Sequence, residues 1–235
     1  ARFRPLESGR VAIITNGGGA GVLAVDQLLD HGCTLAELSE TTMAELGKAL
    51  PPTWSRANPV DIIGDAPPQR YEAAMRAVAA DPGVDALLMM NCPTALASPT
   101  DAAEAVARLA PLGLMAGRPV LACWLGKHAA DPARIILQKA GVASFDTPTQ
   151  AADAVALLTR WSGLQRALTR VPPSAAEFPV DRATVAGILA AAGAENRAML
   201  TEPEAKSVIS AYGVPTPEIA IARSDDEVAE IARRM

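Results

Sequence analysis

"RVAIITNGGGAGVLAVDQLL" spans residues 10–29. Its opening, VAIIT at 11–15, is a short run of mostly branched apolar residues, which suits a strand buried on both faces. From 22 to 31 apolar residues recur at helical spacing, and Gly32 supplies a stop signal. Gly17, Gly18, Gly19 and Gly21 fall between the two patterns. A helix start behind a strand offers free backbone N–H groups and a partial positive charge. Glycine removes the side chains that would block close approach. The stretch therefore predicts a strand–turn–helix unit with an anion cradle at its joint, most naturally for phosphate. It is not the phosphate loop with lysine, because no Lys follows Gly21. It is not the dinucleotide fingerprint either, because Val22 stands where that spacing needs a small residue. The plainer reading is a tight turn that lets strand and helix pack, which one or two glycines would satisfy.

Outward from this unit the alternation repeats. Residues 33–38 read as a strand and 41–50 as a helix with Thr41 as its N-cap, ended by Pro51-Pro52. A third apolar run, 60–63, is entered through Asn58-Pro59, and a helix over 71–80 closes at Asp81-Pro82-Gly83. The run VDALLMM at 84–90 is a strong buried strand. The helix after it, 100–109, has Ser98 and Thr100 as candidate caps. Strand 119–125 (PVLACWL), helix 132–140, strand 141–145 and helix 149–162 complete the series. Strand-then-helix order implies a parallel sheet with helices on both faces. The fold class is α/β, a flavodoxin-like doubly wound sheet in which ligands sit beyond the carboxyl ends of the strands.

Pro172, Pro173 and Pro179 mark a linker. Beyond it come a helix over 181–192 begun by Asp181, a helix entered through Thr201-Glu202-Pro203-Glu204 and closed at Gly213, a strand over 218–222 and a helix over 225–235. This tail is too small to bury its own apolar face and reads as the opening of a second, truncated domain. The predicted organisation is a domain over 1–168, a linker over 169–180 and the start of another domain over 181–235. Both ends read as cut from a larger polypeptide.

The 235 residues are 50 % apolar and 20 % charged, with a formal net charge of −5. A mildly acidic chain lacks the concentrated basic face that nucleic acid requires. No apolar run approaches the roughly 20 residues of a membrane span, and no secretory signal is visible. Cys33, Cys92 and Cys123 lack metal-ligand spacing and read as reduced thiols of a cytoplasmic protein. His31 and His128 read as solvated surface residues, His128 in a polar loop. Asp26 reads equally as a helper of the glycine turn or as a plain carboxylate. Trp54, Trp124 and Trp161 read as core or interdomain packing. A flavin carrier would need aromatics, and only 3 % of the residues are aromatic. A receiver domain would need clustered acids near Thr15-Asn16, and none stand there.

TNGGGAGVLAVDQL at 15–28, followed by NPVDIIGDA at 58–66, resembles the nucleoside-diphosphate-forming acyl-CoA synthetases. These are relatives of succinyl-CoA synthetase and of ADP-forming acetyl-CoA synthetase. PVLACWLGKHAADPARIILQKAGV at 119–142 and TPTQAADAV at 147–155 are similar to the end of the same domain, the carboxy-terminal domain of the succinyl-CoA synthetase β-subunit. LTEPEAKSVISAYGVPTP at 200–217 resembles the start of the ATP-grasp domain that follows it in single-chain members.

The resemblance implies an acid–thiol ligase making acyl-CoA from a small organic acid, CoA and ATP, with release of ADP and phosphate. The phosphoryl group passes through a phosphohistidine on a mobile loop of a CoA-binding domain, and helix N-termini from two domains hold it. By that likeness Asn16, Gly17, Gly18, Gly19, Ala20 and Gly21 supply half of the phosphate cradle, with Asn58, Asp61 and Gly64 beside it. The plainer reading of Asn58 and Asp61 is an Asn-Pro turn with a local cap. The reactive histidine is expected upstream, so these residues include no catalytic group, no metal site and no cofactor of their own. The fragment alone is expected to be inactive. ATP, Mg and CoA serve the whole enzyme, an oligomer. NCPTALASP at 91–99 departs from the glycine-rich substrate loop of succinyl-CoA synthetase. The alternative is an acyl-CoA-sensing region of a GNAT-type protein lysine acetyltransferase. A branched residue at Gly18 or Gly19 is expected to impair phosphoryl transfer and leave folding largely intact.

Overall fold

A computed structural model describes residues 5–112, 114–171 and 180–235. The chain divides into two compact units, Ala1–Arg170 and Val171–Met235.

In the first unit, strand β1 (Arg10–Thr15) leads into helix α1 (Gly18–Asp30), then β2 (Thr34–Leu35), α2 (Glu40–Ala49), β3 (Val60–Asp61) and α3 (Pro68–Ala79). Strand β4 (Ala86–Asn91), α4 (Pro99–Leu109), β5 (Val120–Trp124), α5 (Lys127–Lys139), β6 (Ala143–Phe145) and α6 (Pro148–Thr169) follow. All strand pairings are parallel, in the order β2-β1-β4-β5-β6, with β3 also on β1. β2 pairs with Arg10 and Val11, and β3 with Ile14 and Thr15. The two therefore lie end to end along one edge of β1. Counted as one interrupted position, they give the flavodoxin-type strand order, as predicted.

The apolar runs are continuous because both sheet faces are covered. Ala12, Ile14, Leu87, Met89, Val120, Ala122 and Trp124 pack with Leu46, Tyr71, Val106 and Leu137 beneath α2, α3, α4 and α5. Their alternates Val11, Ile13, Leu88, Met90, Leu121 and Cys123 pack with Ala24 and Leu28 of α1 and Ala151 and Val155 of α6. Period-two alternation along β1, β4 and β5 thus divides one sheet between two cores. Each large side chain so buried contributes about 1.5–3 kcal/mol. A slip of one residue would exchange the two layers.

Several boundaries differ from the sequence reading. Helix α2 is capped by Ser39, whose Oγ accepts the Thr42 N–H at 3.3 Å, so Thr41 is not the cap. Helix α5 starts at Lys127 and carries Pro132 inside it. Gly126, at φ 96°, turns the chain early enough to place His128 in the first helical turn rather than a loop. Helix α6 runs on to Thr169, because Ser162 Oγ accepts the Leu6 N–H at 2.8 Å and Arg166 bonds the Leu6 carbonyl. The predicted linker lies mostly at 172–179, outside the described residues.

The second unit contains α7 (Arg182–Ala194), α8 (Glu202–Ala211) and α9 (Asp225–Arg234). Asp181 caps α7 through the Thr184 N–H at 3.0 Å. Glu204 Oε2 reaches back to accept the Thr201 N–H at 2.8 Å and the Thr201 hydroxyl at 2.9 Å, tying down the predicted entry of α8. Residues 218–222 do not form the predicted strand. A strand needs a ladder partner, and no strand lies beside them among the described residues of this unit. Of its described apolar residues, Ala192 alone is buried. Among all the described residues, no helix is long and apolar enough to cross a membrane.

Candidate phosphate site at the tip of the first helix

Strand β1 ends at Thr15, and helix α1 begins two residues after Asn16, at Gly18. Helix and turn therefore share the glycines: Gly17 is the N-cap, and Gly18, Gly19, Ala20 and Gly21 form the first turn. Thr15 Oγ1 accepts the Gly17 N–H at 3.0 Å, and the Gly17 carbonyl accepts from Ala20 at 3.1 Å and Gly21 at 3.2 Å. No acceptor among the described residues takes the N–H groups of Gly18 and Gly19. No side chain caps this helix, and its first turn holds no acid. Gly19 is exposed, and Gly17, Gly18 and Ala20 are half-buried. The sheet order reverses between β1 and β4, so the tip stands outside the carboxyl ends of the strands at the switch point.

The glycines answer to different demands. A Cβ on Gly17 would stand 2.5 Å from Cys92 Sγ, and one on Gly21 would meet Thr15 Cγ2 at 3.1 Å and Pro59 Cβ at 3.3 Å. These two positions are small because neighbours press on them. A Cβ on Gly18 would lie 2.8 Å from Asp61 Oδ2, and one on Gly19 would meet nothing within 4 Å. The packing explanation therefore covers Gly17 and Gly21 and leaves Gly19 to the open face.

The neighbouring residues close the tip's flanks. Asn16 is buried, and its amide clamps Cys92, accepting the Cys92 N–H at 2.7 Å and donating to the Cys92 carbonyl at 2.9 Å. Its side chain is a strut behind the tip. Asp61 is fixed through Oδ1, which accepts the Ile63 N–H at 2.9 Å, while its own N–H donates to Ser55 Oγ at 2.9 Å. The Gly64 carbonyl accepts from Thr94 Oγ1 at 2.8 Å. Burial, with the Asp61 charge adding, pushes the Cys92 thiol up, so it stands neutral beside Gly17.

Asn58 is elsewhere than expected. Its Oδ1 accepts the Ile13 N–H at 2.9 Å, and its Nδ2 donates to the carbonyls of Val11 at 2.8 Å and Ala36 at 2.9 Å. The amide fills the gap between β2 and β3 along β1, where a strand's peptide group would stand. Its side chain therefore works on the middle of β1, and Pro59 rather than Asn58 reaches the glycine turn.

Nothing in the sequence marks Cys92, Thr94 or Thr15 as neighbours of the tip. Their contacts cross 30 to 76 positions or depend on the turn's shape, and no local pattern signals them. His31 lies on the surface, with Nε2 2.8 Å from Asp153 Oδ1, and His128 is exposed beside Asp131. Asp26 is exposed on α1. Trp54 and Trp124 are buried. No cluster of potential metal ligands occurs among the described residues. In the second unit, an open cleft of about 740 Å³ lies among Asp181, Lys206, Ser210 and Glu218.

Residues 11–172 match the family model described as the Ligase-CoA domain, and residues 191–235 match the ATP-grasp domain. The chain is 31 % identical over 226 residues to acetate–CoA ligase (ADP-forming) I of Archaeoglobus fulgidus, covering 96 % of this chain and 31 % of that protein. It is 36 % identical over 160 residues to subunit alpha of acetate–CoA ligase (ADP-forming) II of Pyrococcus furiosus, covering 67 % of this chain and 35 % of the subunit. Among solved structures, it is similar to the Ca. Korarchaeum cryptofilum dinucleotide-forming acetyl-coenzyme A synthetase 1 in complex with phosphate and ADP. That match has a TM-score of 0.65 at 32 % identity and covers 72 % of this chain and 37 % of that one. The chain thus spans about a third of the length of the curated relatives it matches.

Proposed function

Because the chain belongs to the Ligase-CoA domain family, we propose that it is part of an ADP-forming acyl-CoA synthetase, an acid–thiol ligase, in which the tip of α1 holds the phosphoryl group in transit. The observation that carries this reading is the pair of unpartnered N–H groups on Gly18 and Gly19, at an uncapped helix start on the switch-point edge of the sheet. Phosphoryl transfer needs preorganised dipoles aimed at spreading negative charge more than it needs reactive side chains. Fixed N–H groups supply such dipoles without reorganising.

Each neighbour has a part in this scheme. Thr15 and Asn16 hold the turn from behind. Gly17 and Gly21 let Cys92 and Pro59 press against it. Gly19 leaves the approach open to a phosphohistidine loop of a CoA-binding domain. Asp61 and Gly64 flank the approach, while Asn58 acts only through the strand that carries it. A small organic acid, CoA, ATP and Mg belong to the intact enzyme, which we take to be a cytoplasmic oligomer. The domain over 1–168, the linker over 169–180 and the ATP-grasp start over 181–235 are part of the same reading, as is the inactivity of this chain alone. The curated relatives are ligases by name, which favours this reading over acyl-CoA sensing.

The test is ADP release by the full-length protein with CoA and a series of short acids. Gly19→Val keeps the N–H but puts a branched side chain on the open approach, and is expected to reduce it roughly a hundredfold, the scale of a displacement of about 1 Å in the bound group, with the fold unchanged by circular dichroism. Undiminished turnover in that variant would remove the tip from the mechanism.

A further inference from the structure

Left-handed backbone suits glycine, and a β-branched residue there is an outlier. Ile63 has φ 69°. Arg56, Ala116 and Asn196 share a positive φ, but they are exposed and unbranched at Cβ, whereas Ile63 is half-buried. The main chain accounts for the turn itself. The Ile62 N–H donates to the Thr15 carbonyl at 2.8 Å, the Ile63 N–H donates to Asp61 Oδ1 at 2.9 Å, and the Ile63 carbonyl accepts the Ala66 N–H at 3.0 Å. The flanking carbonyls accept from side chains, that of Ile62 from Arg70 at 3.0 Å and that of Gly64 from Thr94 at 2.8 Å. Glycine at 63 would make each of these bonds without the strain. The side chain is not a core anchor either: Ile62 is buried in the layer beneath α3, but Ile63 packs against neither core. Strain that the fold does not use gathers where a ligand is met.

The position is the rim of the cleft at the carboxyl edge of the sheet. Ile63 holds the Asp61 carboxylate, whose Oδ2 lies 2.8 Å from where a Cβ on Gly18 would be. A Cβ on Gly64, the next residue, would lie 3.7 Å from the Asn16 carbonyl. We propose that Ile63 is a specificity-determining residue of the acid site, an apolar contact for the alkyl chain of a short aliphatic carboxylic acid. The inference rests on the ligase reading above. An acid that presents its carboxylate to a phosphoryl group at the tip leaves its chain along this rim. The side chain of Ile63 is then retained for the ligand, and the left-handed turn sets it there. Each methylene of the acid that it covers is worth about ten- to two-hundredfold in kcat/KM.

The experiment compares kcat/KM for acetate and for butyrate, read as CoA-dependent ADP release by the full-length protein, in the wild type, Ile63→Gly and Ile63→Asn. Glycine removes the side chain together with the strain. Asparagine also accepts left-handed backbone, and it keeps side-chain bulk while exchanging an apolar surface for a polar one. The ratio between the two acids is the quantity read, because a general loosening of the loop lowers both alike. The wild type is expected to favour butyrate by at least about tenfold, and both variants should bring the two acids within about threefold of each other. A wild type without that preference, or a butyrate preference that survives in either variant, would overturn the role of Ile63 and leave the ligase reading standing. If the wild type releases no ADP with either acid or with the wider series of short acids, the ligase reading fails and this inference fails with it.

Discussion

Gly17→Ala separates a glycine required by packing from one required by a ligand. Gly17 has φ −143° and ψ 100°, extended backbone open to any residue, so no conformational argument calls for glycine. The constraint is steric. The new methyl would stand 2.5 Å from Cys92 Sγ and 3.0 Å from Cys92 Cβ. Cys92 cannot move away freely, because Asn16 holds both its N–H and its carbonyl. Overpacking of this kind costs about 1–3 kcal/mol. For a unit of this size, that lowers the melting temperature by about 2–4 °C per kcal/mol. All three tryptophans lie in the first unit, so tryptophan fluorescence in urea reports its unfolding. Cys92→Ala removes the sulfur, the nearer contact. The double variant should therefore be more stable than the summed single effects predict, by about 1 kcal/mol or more. Additivity within about 0.5 kcal/mol would refute the steric argument, as would a neutral Gly17→Ala. Gly19→Ala is the internal control: it meets no atom within 4 Å and gains helix propensity, so it should be neutral or stabilising by up to about 1 kcal/mol.

Asn58→Ala should lower the stability of the first unit by about 1–3 kcal/mol in urea, because the Ile13 N–H loses its partner inside the sheet. Asn58→Asp should do no better, since a carboxylate would face the carbonyls of Val11 and Ala36. Burial raises the carboxyls of Asp81 and Asp85, but hydrogen bonds outweigh it and hold both below the usual range: Ser39, Thr42 and Gly83 for Asp81, Arg10 and Ser8 for Asp85. A lowered folded pKa stabilises above the unfolded value and is lost as pH falls through the folded one. Unfolding midpoints should therefore drop below about pH 4, and less steeply in Asp85→Asn. Burial pushes the Cys123 thiol up to about 12 and that of Cys33 up as well, so a thiol reagent at pH 8 should modify the half-buried Cys92 first, with the other two reacting only on unfolding.

The architecture was readable because the strongest strands carry their own signature. VDALLMM and PVLACWL are buried on both faces, and only a parallel sheet between helix layers provides that environment. The glycine tip was readable as a place but not in its parts. Gly17 and Gly21 answer to Cys92, Thr15 and Pro59, contacts that exist only once the chain has folded. Asn58 looked like a turn residue because Asn-Pro usually is one; its use as a substitute peptide depends on β2 and β3 both being two residues long. Pro132 reads as a first-turn residue and so points to a later start for α5 than Lys127, and the positive φ of Gly126 cannot be inferred from glycine alone. At 218–222 the local pattern was sound, but a strand exists only through a neighbour.

The short strands at the margins of the sheet have a colloidal consequence. One margin consists of two dipeptide segments with a side-chain amide sealing β1 between them, and the other is the three-residue β6. Neither presents a run of bare main chain long enough for another molecule to zip onto. Lateral growth into fibrils therefore has no template on the intact first unit, and aggregation of this unit, where it occurs, begins from molecules that have already come apart.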